Sequence, residues 1–247
     1  MSVTGPDGAT GPLRVGIPIA DLCAGLYCAL GILTALLERE RSGEGQWVRT
    51  SLLQAQVAML DFQAERWLLD REVPRQAGND HPTAIPTGVF ETRDGHINIA
   101  ATGDAIYERF CTVMGRPEWM TEPAYATSAA RSANREAMNA EIAAITRTRS
   151  SREWIETFNA AGVPAGYIYS IDEVFDDPQV QHLGMAAPAR HPELGDIELV
   201  AQPVRMSDSD FAVRRPTPAL GEHTREILVE AGYDEAAIEA LAEARAI

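Results

Sequence analysis

A short polar run carries the side chains that are best suited to chemistry in this sequence. Gly78-Asn79-Asp80-His81-Pro82 offers an amide, a carboxylate and an imidazole within five residues. A loop of this composition is predicted to be flexible, so it could close over a substrate or donate backbone N–H groups to a developing oxyanion. A surface turn with a solvated histidine explains the same run, and the residues alone leave both interpretations open.

A second candidate is Asp21, which precedes the longest apolar stretch of the chain, residues 22–37. The spacing of the apolar residues predicts a helix over about residues 22–42, with Asp21 as its N-cap residue. Capping accounts for a carboxylate at this position, and a catalytic role is the alternative. Because glycines and a threonine interrupt the stretch and charged residues follow it, we expect a buried helix and no membrane span.

The composition excludes several kinds of catalysis and binding. The sequence has no lysine, so neither Schiff-base chemistry nor a P-loop lysine is possible. The three cysteines and five histidines lack the spacing of zinc ligands, and no metal site is predicted. With 21 basic and 36 acidic residues the net charge is −15, which repels nucleic acid and anionic lipid. The N-terminal residues do not resemble a signal peptide, and a cytoplasmic location is expected.

The remaining pattern predicts a mixed α/β chain. Residues 89–92 and 96–100 are predicted to form a hairpin around the turn Asp94-Gly95. Two serine–glutamate pairs have the spacing of a capping box at the start of a helix: Ser150 with Glu153, and Ser170 with Glu173. Further helices are expected over about residues 51–69, 104–114 (capped by Asp104), 131–146, 221–231 and 234–244, and extended segments near 163–169, 185–190 and 197–202.

Three segments carry motifs that are specific when taken together and in order. They are Gly16-Ile17-Pro18-Ile19-Ala20-Asp21 continuing to Ser42-Gly43-Glu44-Gly45-Gln46, then Ala161-Gly162-Val163-Pro164-Ala165-Gly166 with Asp177-Pro178-Gln179-Val180, and finally Leu220-Gly221-Glu222-His223-Thr224. These motifs resemble those of the family III CoA-transferases, the CaiB/BaiF group that contains formyl-CoA transferase.

The resemblance implies an α/β chain that forms part of the family III CoA-transferase fold, with an incomplete Rossmann-like large domain, long linker helices and a small α+β domain. It places a linker and remnant of the large domain at residues 1–20, and long helices that join the domains at 21–75. The small domain with the active-site loop would span residues 76–190, and residues 191–247 would return to the large domain. Members of the family are homodimers of two interlocked chains, which implies the same assembly here.

The resemblance also implies a reaction, the transfer of CoA from an acyl-CoA thioester to a free carboxylic acid. The CoA thioester is then a substrate, and no permanently bound cofactor is expected. In the family an aspartate attacks the thioester, giving mixed-anhydride and aspartyl-CoA intermediates. Gly78, Asn79, Asp80 and His81 match the loop that covers the substrate, but they lack the consecutive glycines of formyl-CoA transferases, which argues against formyl-CoA as the donor.

The nucleophilic aspartate of the family lies shortly before the segment that matches Met1-Ser2-Val3-Thr4-Gly5. The resemblance therefore implies that the nucleophile lies upstream of this chain, which would be inactive alone, while Asp21 supports the site. One alternative is an acyl-CoA racemase of the same superfamily, in which a glutamate occupies the position held here by Gly103 or Asp104, a difference that weakens this alternative. Another alternative is a non-catalytic fragment that only dimerises.

Overall fold

The computed structural model of the protein describes residues 3–6, 9–209 and 211–247. The chain divides into two compact units, residues 1–168 and 169–247. The first unit contains three helices followed by an antiparallel sheet with further helices, and the second contains a hairpin and short helices. The four-part division inferred from the resemblance stays a prediction.

The first unit begins with α1 (Ile19–Ser42), α2 (Leu52–Ala58) and α3 (Phe62–Asp70). α1 ends at Gly43, which adopts a left-handed φ of 73° and donates its N–H to the Arg39 carbonyl at 2.8 Å. The prediction of one continuous helix over residues 51–69 is wrong, because the chain breaks at Asp61, where φ is 49°.

Asp21 does not cap α1, so that prediction is wrong. The helix begins at Ile19 with Pro18 in the N-cap position, and Asp21 lies in its first turn. There the carboxylate interacts favourably with the helix dipole but accepts no capping hydrogen bond. Asp104 is a parallel case, since Gly103 is the N-cap residue of α4 (Asp104–Val113) and no side chain caps that helix.

α1 exposes most of its apolar side chains in the described part of the chain. Cys23 is its buried residue, whereas Leu26, Leu33 and Leu37 are 67%, 58% and 71% exposed. The expectation of a buried helix is therefore not met by this chain alone. By length and composition α1 could cross a membrane, but the core helix of a soluble protein passes the same test.

The sheet of the first unit has the order β1 (Thr87–Glu91), β2 (His96–Ala100), β3 (Ala165–Tyr167), and both pairings are antiparallel. Phe90 pairs with Ile97, and both side chains are buried because they point to the same face of the sheet. The predicted hairpin around Asp94-Gly95 is confirmed.

Four helices accompany this sheet: α4, α5 (Ser128–Ala133), α6 (Arg135–Thr146) and α7 (Ser151–Ala160). The predicted helix over residues 131–146 is interrupted at Asn134. Phe110, Trp119 and Phe158 form a stack at the centre of the core, with ring centroids about 6 Å apart (6.2 and 5.9 Å).

The capping box that opens α7 is confirmed. The Ser150 hydroxyl accepts from the Glu153 N–H at 3.3 Å, and the Glu153 carboxylate accepts from the Ser150 N–H at 2.8 Å. These two bonds satisfy backbone donors that a helix start otherwise leaves unpaired. The helix therefore begins at the residue that the sequence indicates.

The second unit contains α8 (Ile171–Asp176), α9 (Pro178–His182), the hairpin β4 (Ala186–His191) and β5 (Gly195–Val200), α10 (Thr224–Glu230) and α11 (Glu235–Glu243). The second capping box is present, with the Glu173 carboxylate accepting from the Ser170 N–H at 2.8 Å. The elements predicted for this region are confirmed to within a few residues, and the mixture of helices and sheets agrees with the predicted α/β class.

Candidate functional site

Residues 78–81, here called the polar loop, lie between α3 and β1 and are held against both. Asp80 forms an isolated antiparallel bridge with Gly88 of β1, and the Val89 N–H donates to the Asn79 carbonyl at 3.2 Å. The His81 ring stacks on Phe62 of α3, with ring centroids 5.6 Å apart and planes 14° apart. The loop is therefore fixed by the start of the sheet on one side and by a helix on the other.

The backbone of the polar loop is already hydrogen-bonded inside the protein. The N–H groups of Gly78, Asp80 and His81 donate to the carbonyls of Gly5, Ala77 and Thr87 at 3.0, 3.0 and 2.8 Å. These three donors are therefore paired in this structure, and the predicted closure over a substrate or donation to an oxyanion stays a prediction. Such a group could serve an oxyanion only after losing its present partner.

The imidazole of His81 has one nitrogen engaged, and this defines its tautomer. Nδ1 accepts from the Ala84 N–H at 3.0 Å and from the Thr83 N–H at 3.3 Å. An accepting nitrogen carries no proton, so these bonds assign the proton of the neutral ring to Nε2. His81 is half-buried and presents an Nε2–H donor suited to a carbonyl or carboxylate oxygen.

Asp80 is also half-buried, and its carboxylate Oδ2 accepts from the Asn139 side-chain N–H at 3.0 Å. Burial raises the pKa of this carboxyl above its ordinary value of 3.8, while the nearby Arg135 charge and the Asn139 hydrogen bond act in the opposite direction. The geometry therefore combines a carboxylate with a neutral imidazole donor on consecutive residues.

A cleft of about 640 Å³ borders the polar loop, a size typical of small-molecule sites. Its charged lining consists of three arginines and three acids: Arg66, Arg75, Arg135, Glu72, Asp80 and Glu136. Arg66 forms an ion pair with Glu72, and its Nε lies 3.1 Å from the carboxylate. Asp80 of the polar loop thus lines a cleft that also contains Arg75, a cationic group able to attract a carboxylate.

Asp21 is not brought to this cleft. It is exposed and lines a separate cleft of about 220 Å³, together with Arg14 and Gln56. The two clefts share no lining residue. Among the described residues, no group of three His, Cys, Asp or Glu side chains could hold a metal ion. The supporting role of Asp21 stays a prediction.

Sequence reasoning missed the residues that hold the polar loop from outside. Arg135 and Asn139 contact it, as does Phe62, although the contacting residues are 19 to 59 positions apart along the chain. The one local signal was the four-residue spacing of Arg135 and Asn139, which places both on the same helix face. Nothing in that spacing indicates which loop the face meets.

The chain matches the family model for CoA-transferase family III over residues 1–224, and it belongs to that family. It is 34% identical to the succinyl-CoA:glutarate CoA-transferase of Mus musculus, over 98% of this chain and 55% of that protein. It is 35% identical to the succinyl-CoA:mesaconate CoA-transferase of Haloarcula marismortui, over 95% of this chain and 58% of that protein. The chain thus spans about half the length of the curated relatives it matches.

Solved structures give the same assignment of fold. A CAIB/BAIF family protein from Brucella suis matches with a TM-score of 0.73 and 30% identity, over 93% of this chain and 59% of that chain. A protein from Mycobacterium tuberculosis matches in fold alone, with a TM-score of 0.77 at 23% identity over 91% of this chain and 59% of that chain. The predicted family and fold class are confirmed.

Proposed function

We propose that this chain is part of an enzyme that moves CoA from an acyl-CoA thioester to a carboxylic acid, and that both acids are small dicarboxylates. The observation that carries the proposal is family membership over residues 1–224, together with relatives named for succinyl-CoA, glutarate and mesaconate. Arg75 in the cleft supports this class of substrate, because a dicarboxylate keeps one free carboxylate throughout the reaction and a guanidinium can bind it.

The proposed reaction proceeds through an aspartate that lies in a segment upstream of this chain. Its carboxylate attacks the donor thioester, releasing CoA thiolate and forming a mixed anhydride. The thiolate then attacks the aspartyl carbonyl, giving aspartyl-CoA and the free donor acid. The acceptor carboxylate repeats the two steps in reverse, which restores the aspartate and forms the new thioester. Atoms and charge balance without a permanently bound cofactor.

Within this chain, the proposed role of His81 is to donate its Nε2–H to a substrate oxygen. The two backbone bonds to Nδ1 hold the ring in the tautomer that this role requires. A neutral donor of this kind stabilises negative charge that develops on a carbonyl oxygen. Asp21 is proposed to support the complete site from the first turn of α1.

The exposed face of α1 supports the proposal that more polypeptide covers this chain in the complete enzyme. Leu26, Leu30, Leu33 and Leu37 are each more than half exposed and follow the spacing of one broad helix face. An apolar face of this extent is normally buried in a folded protein. The covering segments are proposed to be the upstream part of the protein and the second chain of an interlocked homodimer in the cytoplasm.

The test compares this chain alone with the same chain joined to the sequence encoded directly upstream. With succinyl-CoA and ¹³C-labelled glutarate, we expect the joined protein to form labelled glutaryl-CoA and hydroxylamine to trap an aspartyl hydroxamate. Turnover by this chain alone would contradict the upstream nucleophile. Exchange of the α-hydrogen for deuterium without CoA transfer would instead indicate a racemase. A stable dimer without either activity in both forms would indicate a non-catalytic protein.

The role of His81 is tested in the joined protein with His81→Asn. The Asn oxygen can replace Nδ1 as the acceptor for the Ala84 N–H, but it provides nothing in place of Nε2. We expect kcat to fall by about 100-fold, as for loss of one oxyanion donor. The matched control is Arg147→Ala, which removes a side chain that is 56% exposed and pairs with Glu91. Equal activity of His81→Asn and this control would overturn the role.

A further inference from the structure

Three side chains at four-residue intervals all donate hydrogen bonds to the segment that contains and follows the polar loop. They are Arg131 on α5 and Arg135 and Asn139 on α6, here called the side-chain ladder. The interval places them on one side of the helical pair, in spite of the break at Asn134.

Each member of the side-chain ladder meets a different part of the segment. Asn139 donates to the Asp80 carboxylate at 3.0 Å. Arg135 donates to two successive carbonyls, those of His81 and Pro82, both at 2.7 Å. Arg131 donates to the Ile85 carbonyl at 2.8 Å. The contacts therefore follow the chain in antiparallel order from residue 80 to residue 85.

The partners of the two arginines are unusual for charged side chains. Among the described residues, neither guanidinium lies within 4.0 Å of a carboxylate in an ion pair. Arg131 is 3% exposed, with its guanidinium 3.9 Å from the Tyr107 ring centroid. Hydrogen bonds from charged donors are stronger than those from neutral donors. The bonds from these two guanidiniums to backbone carbonyls therefore hold residues 81–85 firmly in place.

We infer that Arg135 and Asn139 are positioning residues for the substrate site, and that Arg131 anchors the far end of the same segment in the core. Arg135 fixes the backbone at His81, and Asn139 fixes the Asp80 carboxylate. The side-chain ladder thereby holds the Asp80 carboxylate, which lines the cleft, and the backbone that carries the His81 ring. The positioning role in a substrate site rests on the proposed function. The anchoring of residues 80–85 by the side-chain ladder does not depend on it.

The anchoring is tested on this chain by hydrogen exchange of peptides that cover residues 78–85. In Arg135→Ala we expect exchange in these peptides to rise about tenfold or more, with a smaller rise in Asn139→Ala. Arg135→Lys should recover part of the protection, because an ammonium can hold one carbonyl but lacks the paired donors of a guanidinium. Arg147→Ala is the matched control, and peptides from β2 and α4 should exchange as in the wild type in all variants.

A second readout follows the His81 ring directly. Nitrogen chemical shifts should show one tautomer, with the proton on Nε2, in the wild type and in Arg147→Ala. In Arg135→Ala the two tautomers should mix, because the turn that brings the Ala84 N–H to Nδ1 is released. Wild-type exchange and an unchanged tautomer in both Arg135→Ala and Asn139→Ala would overturn the inference.

Activity of the joined protein separates positioning from anchoring alone. We expect Arg135→Ala to raise the KM for the acceptor acid and to lower kcat about tenfold, with partial rescue in Arg135→Lys. A loosened loop with unchanged kinetic constants would overturn the positioning role and leave the transferase intact. If the wild-type joined protein transfers no CoA, the proposed function fails, while the exchange data still decide the anchoring.

Discussion

α1 and α7 are both helices of the first unit, but they differ in what surrounds them. The ten residues of α7 include four that are buried, among them Trp154 and Phe158, whereas Cys23 is the buried residue in the 24 residues of α1. Local sequence specifies a helix in both cases. Burial depends on the polypeptide that packs against the helix. Residues of this chain cover α7, whereas the described residues leave most of α1 uncovered.

The difference divides the first unit into a part that stabilises itself and a part that depends on further contacts. The sheet and α4–α7 enclose a continuous core that contains the stack of Phe110, Trp119 and Phe158. The polar loop is fastened to this core through the side-chain ladder. α1 instead presents its leucines to solvent, which hydrophobic burial strongly disfavours in a complete protein.

The largest effect on stability is expected from Trp154→Ala. The indole is 2% exposed, stacks on Phe158 at 5.3 Å and donates its N–H to the Thr146 carbonyl at 2.7 Å. Removing it leaves a cavity and takes the shorter of two hydrogen bonds from the Thr146 carbonyl, which together lower the free energy of unfolding by about 3–5 kcal/mol. Urea unfolding followed by circular dichroism measures this. A loss below about 1 kcal/mol would show that α7 is not part of an independently stable core.

Gly88→Ala is expected to have the next largest effect, because it acts where the polar loop meets β1. A Cβ atom at this position would lie 2.6 Å from Asp80 Oδ1 and 3.0 Å from the Asn79 carbonyl oxygen. Relief of this overlap must displace the loop, at about 1–3 kcal/mol. Gly166→Ala on β3 is the matched control, since its Cβ would meet no atom within 4 Å. Equal unfolding midpoints for the two variants would contradict the close packing of the loop.

Asp94→Asn should produce a smaller effect that depends on pH. The Asp94 carboxylate accepts from the Ser151 N–H at 2.8 Å at the start of α7, and this bond lowers the pKa of Asp94 below its ordinary value of 3.8. An acid with a lowered pKa in the folded state stabilises the fold above its unfolded pKa and loses this effect as pH falls through its folded pKa. The wild type should therefore exceed the variant in stability at pH 7.

The same comparison at acid pH supplies the check. Urea midpoints of wild type and Asp94→Asn should converge as the pH is lowered below the folded pKa of Asp94, where both side chains are neutral. A gap that stays constant from pH 7 to acid conditions would show that the hydrogen bond is independent of the carboxylate charge. Glu156→Gln, a change of the same kind on an exposed side chain of α7, is the control.

The smallest effect in this chain is expected from Leu37→Ala, and it sharpens the contrast with Trp154→Ala most directly. Leu37 is 71% exposed, so its truncation should change the free energy of unfolding by less than about 0.5 kcal/mol. In the protein joined to its upstream segment, the same change should be destabilising by about 2–5 kcal/mol, because the side chain is then buried. A small effect in both forms would contradict the proposal that further polypeptide covers α1.

Elements that depend on neighbouring residues were predictable from the sequence. The hairpin follows from the Asp94-Gly95 turn, and the capping boxes at Ser150 and Ser170 fix two helix starts, because each device closes within a few residues. The breaks at Asp61 and Asn134 carry no such signal. Neither glycine nor proline stands there, so the helical pattern continues through both positions in the sequence.

The sequence by itself determined the α/β class and the family, and it predicted residues 78–81 as a place for chemistry. Tertiary structure alone decided that this loop is held in place, that His81 carries its neutral-state proton on Nε2, and that Asp21 lies in a different cleft. The physical reason is the separation along the chain of the residues that interact. Capping and turn formation are settled by residues a few positions apart, whereas the side-chain ladder joins groups more than 40 residues apart, and only folding brings these groups within hydrogen-bonding distance.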